Sequence, residues 1–203
     1  AANRAGKRRR QKRSPSPDGE ASSEMSKDQK MQLATEFAEL VSRGHDPDEV
    51  EDCEATDAKD VKATRRAQHE HLAKCRDAFN TIADMASASA DTARDCARIA
   101  MVVMLSPEGA IPPPKKKAVH ILISAAKAER TSMLPAAMSF LARCLSQPVA
   151  DTAYAKRLRY GVRTLLETKE VNAAAAFVNA WDAEPGTVFE GLRGNGELAN
   201  LHE

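Results

Sequence analysis

The chain has 203 residues, a formal net charge of +1, 42% hydrophobic residues and only 4% aromatic ones. That length suits one domain of ordinary size, and the scarcity of aromatics beside alanine runs such as AAAAFVNAW favours close-packed helices over a β-sandwich. No stretch approaches the roughly eighteen apolar residues of a membrane span and no apolar segment follows the basic N-terminus, so a soluble protein that is not secreted and does not enter a membrane is expected.

The small net charge hides three blocks. Residues 1–17 carry +7, residues 18–60 carry −10 and residues 61–203 carry +4, which together account for the total. The first block holds Arg4, Lys7, Arg8, Arg9, Arg10, Lys12 and Arg13 without an acid. So dense a run of like charge cannot bury itself and reads as a flexible interaction arm over residues 1–25 whose partner is a polyanion. KRRRQKR lacks the apolar face of a transit peptide. It admits two functions, a nucleic-acid-binding arm or a nuclear-import signal. Phosphorylation at the adjoining Ser14 or Ser16 would weaken a polyanion contact.

The first helix is predicted over residues 27–43. Ser26 and Gln29 form a capping-box pattern, Leu33, Phe37, Leu40 and Val41 recur at helical spacing, and Gly44 closes the helix. An acidic loop, residues 44–57, follows with seven acids from Asp46 to Asp57. It is a solvated link or a docking surface for a basic segment such as the chain's own arm, and it lacks the glycine and terminal glutamate of an EF-hand.

A long helix is predicted from Asp57, with Val61, Leu72, Cys75, Phe79, Ile82 and Ala86 on one stripe. DTARDCARIAMVVML gives the next, apolar all round from Ile99 to Leu105 and so expected to be the most buried. SPEGAIPPPKKK stops it, and residues 106–117 read as a Pro-rich linker. Shorter helices follow over 118–130 and 132–145. Asp151 then caps one bearing Tyr154, Leu158, Val162, Leu165 and Leu166, and a last one carries Val171, Ala174, Phe177, Val178 and Trp181 inward. Short connections force antiparallel neighbours, so the expected fold is an all-α bundle of about seven mostly short helices forming a core domain over 26–182. Residues 183–203, rich in glycine, read as an extended tail with Val188, Phe189 and Leu192 as anchors on a neighbour. Phe79, Ile82, Ile99, Val103, Leu122, Leu141, Leu158, Leu165, Phe177 and Trp181 are the expected core.

The four cysteines, Cys53, Cys75, Cys96 and Cys144, form no CxxC pair and read as small buried hydrophobes. In HEHLAKC, His71 and Cys75 share a helical face at a spacing that can hold a metal. Two further ligands would have to come from Cys53, His69 or distant residues, so no metal site is expected. There is no GxxxxGK(S/T), GxGxxG, GxSxG or HExxH, and no catalytic residue or cofactor is assigned. A non-enzymatic protein is expected.

The positive signals are basic. Besides the arm, Lys115, Lys116 and Lys117 follow the prolines. AKRLRYGVR places Lys156, Arg159 and Arg163 on one helical face beside Tyr160. Lysine and arginine neutralise phosphates, and an interleaved aromatic can stack on an unpaired base. A basic arm, an alanine-rich helical core and a glycine-rich tail are the plan of viral coat and nucleocapsid subunits and of proteins in large ribonucleoprotein assemblies, an analogy of organisation carried by no family motif. The expectation is a self-assembling nucleic-acid-binding subunit, with RNA favoured over DNA and association through arm and tail, located in a virion or an intracellular ribonucleoprotein. The alternative is a helical adaptor of a eukaryotic nuclear or ribonucleoprotein complex, with KRRRQKR as its import signal.

Overall fold

A computed structural model describes residues 25–48, 58–147 and 149–182; all seven basic residues of the arm, the acidic stretch 49–57 with Cys53, and the tail 183–203 lie outside it. Among the described residues the chain forms seven α-helices and no strand. They are α1 (Lys27–Ser42), α2 (Ala58–Met85), α3 (Ala90–Leu105), α4 (Lys115–Ala128), α5 (Met133–Ser146), α6 (Thr152–Leu166) and α7 (Val171–Asp182).

Local chemistry sets most boundaries. The Ser26 hydroxyl accepts from the Gln29 N–H at 3.2 Å, while the Gln29 side chain accepts from the Ser26 N–H at 3.0 Å. The other end of α1 closes on Gly44, whose φ of +66° is the left-handed conformation a glycine adopts without strain. Gly44 N–H then reaches Val41 O and His45 N–H reaches Leu40 O, satisfying two end carbonyls. Ser89 caps α3 through Thr92 N–H, and Asp151 caps α6 through Ala153 N–H at 2.7 Å. Helix α5 is capped from further back: the Glu129 carboxylate accepts from Thr131, Ser132 and Met133 N–H groups.

Helix α4 sits at the centre, packed on α2, α3, α5 and α6, with α1 against α2 and α3, and α7 against α5. One buried cluster runs through all seven helices, from Phe37 and Phe79, whose rings lie 5.2 Å apart, to Leu122, Leu141, Leu158 and Leu165. Cys75 and Cys96 are buried and Cys144 is half-buried, all three as free thiols.

Three expectations need correction. The Pro-rich linker ends at Pro114, because Lys115–Lys117 already form the first turn of α4; a proline preset near helical φ suits a helix start. Ile111 and Pro113 are buried, so the loop before α4 is anchored on the core. The end of α3 is not enclosed all round, since Leu105 is 50% exposed. The inward face of α7 is also different. Ala173 and Ala180 are buried and Phe177 is half-buried, while Val171, Val178 and Trp181 face outward at 80%, 57% and 47% exposure. Helix α7 meets α5 through its small residues, which permit close approach, and Val171, Val178 and Trp181 are left exposed.

Candidate nucleic-acid interface

The fifteen residues TAYAKRLRYGVRTLL of α6 make two opposite faces. Tyr154, Leu158, Val162 and Leu165 recur at spacings of three and four and are buried; Lys156, Arg159, Tyr160 and Arg163 lie on the other side and are exposed. The helix lies flush on the core because residue 161 is glycine. A Cβ there would stand 3.2 Å from Ile123 Cδ1, 3.3 Å from Val119 Cγ1 and 3.4 Å from Leu141 Cδ1. The basic face is thus mounted on a tightly seated helix.

Tyr160 belongs to this outer face and not to the core. The Arg157 guanidinium covers one side of its ring at 4.9 Å from the centroid. Arg163 Nε lies 3.7 Å from Glu167 Oε1 in a pair exposed on both sides, the kind of contact worth about 0–1 kcal/mol, so it competes weakly with a phosphate. Among the described residues, Lys156 and Arg159 make no ion pair.

The lysines of PPPKKK do fold beside α6. Lys116 Nζ is 3.7 Å from Asp151 Oδ2 at the α6 cap, and Lys115 Nζ is 3.6 Å from Glu108 Oε1. Two of the three therefore already face carboxylates and offer less to a phosphate than their number indicates. Lys117 instead joins the α6 charges electrically. At His120, one turn further along α4, partial desolvation and then the charges of Lys117 and Arg157 hold the imidazole below its ordinary pKa, against an opposing pull from Asp84. Lys117 of α4 and Arg157 of α6 thus act on the same imidazole.

Beside the basic face runs a groove that sequence reasoning missed. Leu145, Val162, Leu166, Phe177, Val178 and Trp181 line a cavity of about 580 Å³ together with Arg159 and Arg163. Within it Phe177 and Trp181 stack, with ring centroids 5.8 Å apart and planes 24° apart. The signal lies in α7, where Ala173 and Ala180, and not Ala174, Val171, Val178 or Trp181, form the buried side.

A second grouping of polar side chains joins α1 to α2. His71 Nε2 is 2.6 Å from Glu36 Oε1 and 3.4 Å from Cys75 Sγ. His69, two residues earlier and so on another face of the helix, turns to Asp48 at 3.0 Å and takes no part. Burial, and after it the Glu36 charge, pushes the Cys75 thiol up to about 11.

No family model matches the chain, and comparisons with curated proteins and with solved structures find no match. Among the described residues no helix is long and apolar enough to cross a membrane.

Proposed function

We propose that the protein is a structural nucleic-acid-binding subunit of coat or nucleocapsid type, without enzymatic activity, which holds RNA and self-associates through its basic arm and C-terminal tail in a virion or an intracellular ribonucleoprotein. The observation that carries this reading is the outer face of α6: Lys156, Arg159, Tyr160 and Arg163 are exposed together on a helix whose other face is locked into the core. An arm alone grips a polyanion but must surrender conformational entropy on binding and fixes no path. A rigid basic helix defines a path, and the adjoining stack of Phe177 and Trp181 is a surface on which an unpaired base packs.

The decisive variant is Arg159→Gln with Arg163→Gln, which keeps length and polarity while removing two charges. RNA affinity at moderate salt should fall, and the slope of log affinity against log salt should shrink by about one to two units. Deleting residues 1–17 should shrink it further. A folded double variant with wild-type affinity and slope would reject the α6 surface.

The groove favours one other reading, a helical adaptor that docks a protein on Leu166, Val178 and Trp181 and uses KRRRQKR for nuclear import. It requires a monomer indifferent to RNA. Light scattering on purified protein before and after nuclease treatment separates the two readings.

A further inference from the structure

Glu36 of α1 and His71 and Cys75 of α2 present three ligand atoms of different chemistry that all lie within 4.8 Å of one another. The two helices set this geometry. His71 and Cys75 are four apart and therefore share one face of α2, and the stripe that packs Phe79 on Phe37 brings Glu36, one residue before Phe37, alongside His71. Cys75 is fully buried, whereas the Glu36 and His71 side chains are 42% and 48% exposed, so the cluster opens to solvent on one side only.

One ring nitrogen of His71 faces both of its neighbours in this cluster. Both short contacts of His71 are made by Nε2, and a ring nitrogen either donates or accepts. With a proton on Nε2 it donates to Glu36 at 2.6 Å and leaves the thiol, at 3.4 Å, only a weak contact. Without one, it accepts from the thiol but sets its lone pair against the carboxylate at 2.6 Å. Three ligand atoms within 4.8 Å of one another can be satisfied together by one cation. A carboxylate, an imidazole and a thiolate are the borderline-soft set that zinc takes, at about 2.0–2.3 Å from each donor atom.

We propose that Glu36, His71 and Cys75 form a zinc site that clamps α1 to α2, with a fourth coordination position open to water. On binding, the Cys75 S–H bond breaks and its proton leaves to solvent, so that Zn²⁺ with one thiolate, one carboxylate and a neutral imidazole forms a site of zero net charge. Three protein ligands and one solvent position distinguish it from a closed four-ligand structural site. The clamp joins helices on either side of the acidic loop.

The test is titration of the reduced full-length protein with Co²⁺ and then Zn²⁺. One equivalent of Co²⁺ per chain should produce visible tetrahedral bands and a near-ultraviolet thiolate charge-transfer band, and Zn²⁺ should abolish both and raise the unfolding temperature. Cys75→Ser should lose the charge-transfer band. Because Cys75 is buried and that variant is vulnerable in folding, Glu36→Gln at a half-buried position and His71→Gln at an exposed one provide the second arm. Each should keep the wild-type circular dichroism and lose more than about tenfold in Zn²⁺ affinity. A charge-transfer band that survives in Cys75→Ser, wild-type Zn²⁺ affinity in both folded Gln variants, or no Co²⁺ uptake by the wild type would each overturn the site.

Discussion

The Arg157 guanidinium lies over the ring of Tyr160, 4.9 Å from its centroid. One face of the tyrosine is therefore already occupied by a cation of the same helix, and only the other face and the edge remain for a ligand. A base stacked on the free face would complete a sandwich with Arg157. Tyr160→Ala should weaken RNA binding by about 1 kcal/mol, roughly fivefold, at the low end for a stacking aromatic. Tyr160→Phe, which keeps the ring, should bind as the wild type in an anisotropy titration. Equal affinity of the Ala variant would remove Tyr160 from the contact.

Gly161 makes the seat of α6 sensitive to volume. Gly161→Val would drive a branched side chain into Ile123, Val119 and Leu141, and overpacking of this kind costs about 1–3 kcal/mol. Gly161→Ala also gains about 1 kcal/mol of helix propensity, which offsets its milder crowding. The expected order of urea midpoints is Val variant well below wild type, with Ala close to wild type. A Val variant as stable as wild type would show that α6 is not tightly seated.

His120 reports on the charges of Lys117 in α4 and Arg157 in α6. Partial desolvation with Lys117 and Arg157 outweighs Asp84 and lowers its pKa, so a polyanion that neutralises those cations should raise it. An NMR titration of the imidazole with and without RNA measures the change, and an unmoved or lowered pKa on binding would place the RNA elsewhere. The linkage to stability has a definite sign. Between the lowered folded value and the ordinary value of the unfolded chain, the unfolded state binds more protons, so stability falls as pH drops through that window. His120→Asn should flatten this dependence.

Glu129 should limit acid stability at the start of α5. Its hydrogen bond with Ser132, followed by the backbone N–H groups of Met133, Ser132 and Thr131, holds its carboxyl below the usual glutamate range. A carboxylate favoured in the fold stabilises above its unfolded pKa, and that contribution is lost as pH falls through the folded value. Glu129→Ala should lose about 1 kcal/mol at neutral pH, as for other lost caps, and should show a smaller further loss on acidification than the wild type. Equal denaturation midpoints for the two proteins at pH 7 would refute the cap.

The parts of the fold legible in sequence are those written within a few residues. Ser26 with Gln29, Gly44 and Asp151 mark ends because capping is local, and the stripes of α2 and α6 are clear because large apolar side chains alternate there with charges. Helix α7 was misphased because four consecutive alanines give its faces little contrast; which side is inward is decided by α5, including a bond from Ser139 Oγ to Ala176 O at 3.2 Å. The outer face of α6 was legible for the same reason as its core stripe. Glu36 was invisible as a partner of His71, since 35 residues separate them and only the packing of α1 on α2 joins them. The groove beside α6 went unseen because it depends on the phase of α7.

The anchored loop before α4 also governs cleavage. Lys115, Lys116 and Lys117 offer a trypsin-like protease three successive scissile bonds, and a protease must draw several residues into an extended strand to cut one. Here the bonds lie in the first turn of the central helix, with Ile111 and Pro113 sunk into the core just before them. Exposing them requires unwinding the start of the helix on which α2, α3, α5 and α6 all rest. A nick at this tribasic run therefore records unwinding at the start of α4, and its rate under native conditions counts how often that end of the central helix opens.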